Sequence, residues 1–144
     1  CIARELLKKG KTVLYQTAPI LLENIIEYKM SKKKNENENI CKTILDVDLL
    51  IIDDLGTESL NSMKLSELFT IINTRILNFN NKSKKTIIST NLNIKDIFIN
   101  YEERIGSRIA GYYDIYYFFG NDLRFRTKKW LSNFLLNHFL FLFS

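Results

Sequence analysis

The sequence predicts an α/β domain built on a parallel sheet with helices on both faces, and three observations carry that prediction. Short runs rich in β-branched and aromatic residues alternate with segments of helical spacing along most of the chain. Two of the runs, VDLLIID (Val47 to Asp53) and KKTIIST (Lys84 to Thr90), are apolar through their centres, the pattern of strands covered on both sides. A helix follows each strand, which is the connection that parallel neighbours need.

In order, CIARELLKKG reads as a helix with Ile2, Ala3, Leu6 and Leu7 on one face and Gly10 as its stop. No Ser, Thr, Asp or Asn caps its start, so the helix is expected to be cut in its middle. KTVLYQT (Lys11 to Thr17) is a strand, and Pro19 opens an amphipathic helix carrying Leu22, Ile25 and Ile26. SKKKNENENI (Ser31 to Ile40) is polar and low in complexity, a solvated loop with nothing to bury. Beyond the Val47 strand, Leu65, Leu68, Phe69, Ile72, Ile76 and Phe79 recur at helical spacing and lead to the Lys84 strand. Asn93 to Ala110 is helical with a break near Tyr101, and YDIYYFF (Tyr113 to Phe119) is a last strand closed by Gly120.

The 144 residues suffice for one domain with a real core. A net charge of +5 suits a nucleic-acid or acidic partner without identifying either. Cys1 and Cys41 form no CxxC and His138 stands alone among histidines, so neither a zinc site nor a disulfide framework is indicated. Arg4, Glu5, Lys8 and Lys9 interrupt any leading apolar run, so no signal peptide is expected and the expected compartment is cytoplasmic.

The most informative string is LLIIDDLGTE, Leu49 to Glu58. A buried parallel strand ending in two acids sets both carboxylates at the C-terminal edge of the sheet, where open α/β folds bind ligands. That is the Walker B arrangement: Asp53 would help hold Mg2+ through water, and Asp54 would orient the attacking water. An apolar strand ending in a solvated acidic turn gives the same string. The next strand ends in Ser89, Thr90 and Asn91 at the same edge, so Asn91 is placed either to bond the attacking water or a γ-phosphate, or to cap the helix near Asn93. In YEERIGSRIAG, Arg104 and Arg108 stand at i and i+4 on one helix face. Such a pair serves a neighbouring subunit's γ-phosphate, or simply pairs with Glu102 and Glu103.

Asp-Asp after an apolar strand, then SELFTIINTRI, TIISTNL and ERIGSRI in that order, resembles the DnaC/DnaI family of bacterial replicative helicase loaders, over about Cys1 to Arg126. The resemblance implies an AAA+ P-loop NTPase fold with sheet order 5-1-4-3-2, ATP and Mg2+ as cofactors, and homo-oligomeric ATP sites. It further implies delivery of the replicative hexameric helicase onto single-stranded DNA. By it, Asp53 and Asp54 match the Walker B acids, Asn91 matches sensor 1 and Arg108 matches the arginine finger, with Arg104 beside it. Arg124 and Arg126 in DLRFR fall where the family places basic residues, and a nucleotide-sensing role goes with Arg124.

Two departures stand out. No GxxxxGK[ST] occurs, so the cradle for the β and γ phosphates is missing, and with it the P-loop strand that is central in the family's sheet. A partial chain explains this most simply, with residues 1–129 a partial AAA+ domain that is inactive alone. The tail WLSNFLLNHFLFLFS (Trp130 to Ser144) does not match the family's ending. It falls short of the about 20 apolar residues of a membrane span, so no membrane is expected. A read-through or shifted frame would explain the tail; equally, it would pack as an extra helix where core is lost, or aggregate.

The family's single-stranded DNA contacts would fall on Tyr28, Lys29, Lys32, Lys33 and Lys34, with base stacking on the tyrosine and phosphate contacts from the lysines; solvated lysines are the plainer explanation. Within the ATPases, an IstB-type transposition helper shares the DDLG core. From another class, a non-catalytic binding remnant is the alternative.

Overall fold

The computed structural model describes residues 2–31, 38–77, 84–118 and 139–143. Helix α1 (Ile2–Lys8) ends at Gly10, whose φ of 71° closes it as expected, and leads to strand β1 (Val13–Thr17). Helix α2 (Ala18–Met30) begins with Pro in its first turn and buries Leu21, Leu22 and Ile25. Of the expected loop, residues 32–37 lie outside the described residues, and its last three, Glu38 to Ile40, open a helix, α3 (Glu38–Asp46), in which Ile40, Cys41, Ile44 and Leu45 stand at helical spacing and Ile44 reaches the core.

Strand β2 runs from Leu49 to Leu55, two residues later than the sequence predicts. Asp48 is taken out of the strand because its carboxylate accepts the Thr12 N–H at 2.9 Å and the Thr12 hydroxyl at 3.0 Å. Helix α4 (Ser62–Leu77) leads to β3 (Lys85–Thr90). The expected break at Tyr101 divides α5 (Ile94–Asn100) from α6 (Glu102–Tyr112), before β4 (Asp114–Phe118).

β1, β2 and β3 are parallel neighbours in that order. Helices α2, α4 and α6 touch in turn as one layer, as right-handed crossovers across a sheet require. Against that layer the sheet presents Leu50, Ile52 and Ile88, each wholly buried with Leu22, Leu68, Ile72, Ile97, Ile105 and Ile109. Truncating any one of them to Ala would cost roughly 2–5 kcal/mol. The alternate positions, Tyr15, Ile51, Asp53, Ile87 and Ser89, share the opposite face.

Of the tail, residues 130–138 and 144 lie outside the described residues, and the described part departs from the expected helix. Phe139–Phe143 is a strand, β5, and not a helix; it stands between β3 and β4, antiparallel to both, so the sheet order is β1-β2-β3-β5-β4 and the sheet is mixed. In the order 5-1-4-3-2 this slot belongs to the P-loop strand. Without a neighbour there, β3 and β4 would leave a row of N–H and C=O groups unpaired, and an aromatic, strand-favouring run supplies their partners. Among the described residues no helix is long and apolar enough to cross a membrane.

Candidate functional site

The C-terminal edge of the parallel strands gathers the acids. Between the Ile52–Ile88 and Leu55–Thr90 pairs, β2 carries one more residue than β3, a bulge that falls on Asp53 and Asp54. Asp54 adopts φ 56°, a left-handed conformation that Asp tolerates better than most side chains. The turn is closed by Thr57, whose hydroxyl donates to the Asp54 carbonyl at 2.9 Å. Gly56 follows at φ 107°, where a Cβ would also lie 2.8 Å from the Leu92 side chain, so only glycine fits. Thr90 ties the two strand ends together, donating to the Leu55 carbonyl and accepting the Leu92 N–H at 3.1 Å.

Both oxygens of the Asp53 carboxylate accept hydroxyl protons, one from Tyr15 on β1 and one from Ser89 on β3. The Ser89 oxygen also accepts the Asp54 N–H at 3.0 Å. Burial opposes ionisation of Asp53, but donation by Ser89, Tyr15 and the Asp54 backbone outweighs it and holds the carboxyl below its usual range. The bond to Asp53, with burial behind it, pushes the Tyr15 phenol up, so Tyr15 remains a donor at neutral pH. Sequence reasoning missed Tyr15: it sits opposite Ile51, one alternation before Asp53 on the same face, which only the register reveals.

Asp53 is therefore an anion fixed in place beside a second acid. That donor set fits Mg2+, which takes one or two protein carboxylates and completes its shell with water and phosphate oxygens. Among the described residues no cluster of three acids, His or Cys forms that would make an all-protein cage.

The remaining predicted residues sit as follows. Asn91 is exposed just past β3, and the cap of α5 is Asn93, which accepts the Asp96 N–H at 3.0 Å, so Asn91 is not used as the cap. Arg104 pairs with Glu102 at 2.8 Å and lies 4.7 Å above the Phe69 ring. Arg108 is half-buried, 5.9 Å from the Tyr112 ring centre, and forms no ion pair among the described residues. Neither arginine bonds the acid pair. Lys29 bridges to Glu67 on α4 at 2.6 Å, and Tyr28 is half-buried at the end of α2. Lys32, Lys33, Lys34, Arg124 and Arg126 lie outside the described residues.

The fold is that of the AAA+ ATPases: three parallel strands flanked by helices, the middle one closing in two acids. Solved structures of DNA replication initiation proteins share this fold. The chain is similar to a DNA replication initiation factor, at 26% identity over 76% of this chain and 32% of that one, with a TM-score of 0.58. It is similar to AMPPCP-bound DnaA from Aquifex aeolicus at 25% identity, again over 76% and 32%, with a TM-score of 0.59. The chain thus spans about a third of the length of each, 32%. No family model and no curated protein matches it.

Proposed function

We propose that this chain supplies the metal-side and water-side part of an ATP site in a cytoplasmic AAA+ ATPase of DNA replication. Its role is that of a DnaC/DnaI-type loader, which passes the replicative hexameric helicase to single-stranded DNA. The observation that carries the reading is the bulged Asp53–Asp54 end of β2, with its first acid held by Ser89 of the neighbouring strand. When bound, Mg2+ would neutralise charge on the phosphates. Asp53 holds the metal's water shell, Asp54 orients the attacking water, and exposed Asn91 adds an amide at the same edge. The phosphate cradle of such a site would be a GxxxxGK[ST] segment, which these residues do not contain. Joined to such a segment, Asp54→Asn should keep nucleotide binding and lose hydrolysis, whereas Asp53→Asn should weaken the metal site. Turnover by Asp54→Asn at the parent rate would remove the water-orienting role.

A further inference from the structure

A third carboxylate, near the acid pair, is buried and has no part in that chemistry. Glu58 is 9% exposed, and a carboxylate so far from water requires donors. One oxygen accepts the Gly56 N–H at 3.0 Å and the other accepts the Tyr101 hydroxyl. Tyr101 is wholly buried and marks the junction of the two helices: its N–H donates to the Ile97 carbonyl at 2.9 Å to end α5, and α6 begins at the next residue, with Glu102 at φ 66°. Burial, and then the bond to Glu58, push the Tyr101 phenol well above its usual range, so it donates at any physiological pH.

Both ends of this link are closely packed. At one end Leu92 packs against Gly56 so closely that a Cβ there would lie 2.8 Å away. At the other, α5 and α6 approach until a Cβ on Gly106 would lie 2.7 Å from the Phe98 ring. Tyr101 immediately precedes α6, so a rotation of α6 bears on it, and through Glu58 on the backbone two residues after Asp54. An apolar pair of similar volume would fill the space without desolvating a carboxylate. What the charge adds is a fixed direction between turn and helix.

We propose that Glu58 is a positioning residue that ties the Asp54–Gly56 turn to the arginine-bearing helix α6. The acid edge and the face that carries Arg104 and Arg108 are thereby set as one unit. This rests on the reading of Asp53 and Asp54 as the metal-side acids of a nucleotide site.

The test uses this chain in solution, followed by amide NMR with MnCl2 as the probe of the acid pair. In the parent, Mn2+ should broaden the amides of Asp53 to Gly56. Tyr101→Phe keeps the buried ring and removes only the donated proton. It should shift the amides of Asp54 and Gly56 together with those of Arg104 to Arg108, and weaken Mn2+ about fivefold, the effect of one hydrogen bond. Leu49 to Ile52 should keep their parent shifts. Glu58→Gln, which retains an acceptor, should give the same pattern more weakly. If Tyr101→Phe lowers protection throughout the sheet, Glu58→Gln is read in its place on the same criteria. A disturbance confined to α6, with turn and Mn2+ unchanged, would overturn the link. Asp53→Asn separates the two claims. If it abolishes broadening while Tyr101→Phe is silent, the metal reading stands and the link fails; if broadening survives Asp53→Asn, both fail.

Discussion

The Ser89 hydroxyl donates to the Asp53 carboxylate across the β2–β3 pair, and the same oxygen accepts the Asp54 N–H at 3.0 Å. One side chain, itself 2% exposed, therefore fixes the carboxylate of the first acid and the backbone of the second. The bulge in β2 makes this possible by bringing two consecutive residues against one partner.

Ser89→Ala should cost about 1–2 kcal/mol at neutral pH, since two hydrogen bonds are lost and the half-buried Asp54 N–H is left without its acceptor. The pH dependence has a definite sign. Asp53 is held below its unfolded value, so its contribution is complete above about pH 4 and disappears as the pH falls through the lowered folded value. The stability difference between parent and Ser89→Ala should therefore shrink on going from pH 7 to about pH 3 in urea titrations. Carboxyl carbon NMR should show Asp53 titrating higher in the variant. An equal difference at both pH values would mean that the hydroxyl does not support the ionised acid.

Arg75 shows how a charged side chain can serve the fold alone. It is 2% exposed and donates to the carbonyls of Ile44, Leu45, Val47 and Lys85 and to the Thr86 hydroxyl, at 2.7 to 3.2 Å. Burial pulls its pKa down, with Tyr113 and Asp46 opposing. The guanidinium joins the end of α3, where helix carbonyls favour a cation, to the start of β3. Arg75→Leu should cost roughly 3 kcal/mol or more, and Arg75→Lys should recover less than half, because an ammonium cannot reproduce the planar fork. Chemical denaturation checks this, and a loss under about 1 kcal/mol for Arg75→Leu would show that the carbonyls find other partners.

The C-terminal strand gives a third prediction. Deleting residues 139–144 removes the backbone partner of Ile87 to Thr90 and of Asp114 to Phe118. Amide exchange should rise at least about tenfold in β4, which pairs with β5, and less in β3, which keeps β2 on its other side. Unchanged protection in β4 would place its partners elsewhere.

Much of this fold was legible because most elements follow one local rule each. Pro19 at the start of α2, Gly10 at the end of α1 and the apolar centres of β2 and β3 announce themselves within a few residues. The misses depended on contacts far apart in sequence. Asp48 leaves its strand because Thr12 binds it, and β5 is a strand because β3 and β4 offer unpaired edges. At the site, the two acids were legible as a string, but the hydroxyls that hold Asp53 come from Tyr15 and Ser89, on strands either side. The burial of Glu58 was not legible, since DDLGTE reads as a polar turn until Tyr101 arrives beside it.

The most direct test of the proposed ATP site is hydrolysis by mixed subunits, with this chain joined to a GxxxxGK[ST] segment and assembled on its proposed partner, the helicase or single-stranded DNA. In the proposed site Arg108 acts on the γ-phosphate held by a neighbour; within its own chain it lies 5.9 Å from the Tyr112 ring centre and does not bond the acid pair. Arg108→Ala should leave nucleotide binding by the monomer nearly unchanged and reduce assembly-stimulated hydrolysis by as much as ~10³-fold. Asp54→Asn should be inactive for a different reason. Mixed together, the two variants place the intact Arg108 of one subunit opposite the intact Asp54 of the other, and part of the activity should return. No recovery in assemblies shown to be mixed, or a monomer binding defect equal to the loss of activity, would contradict the assignment.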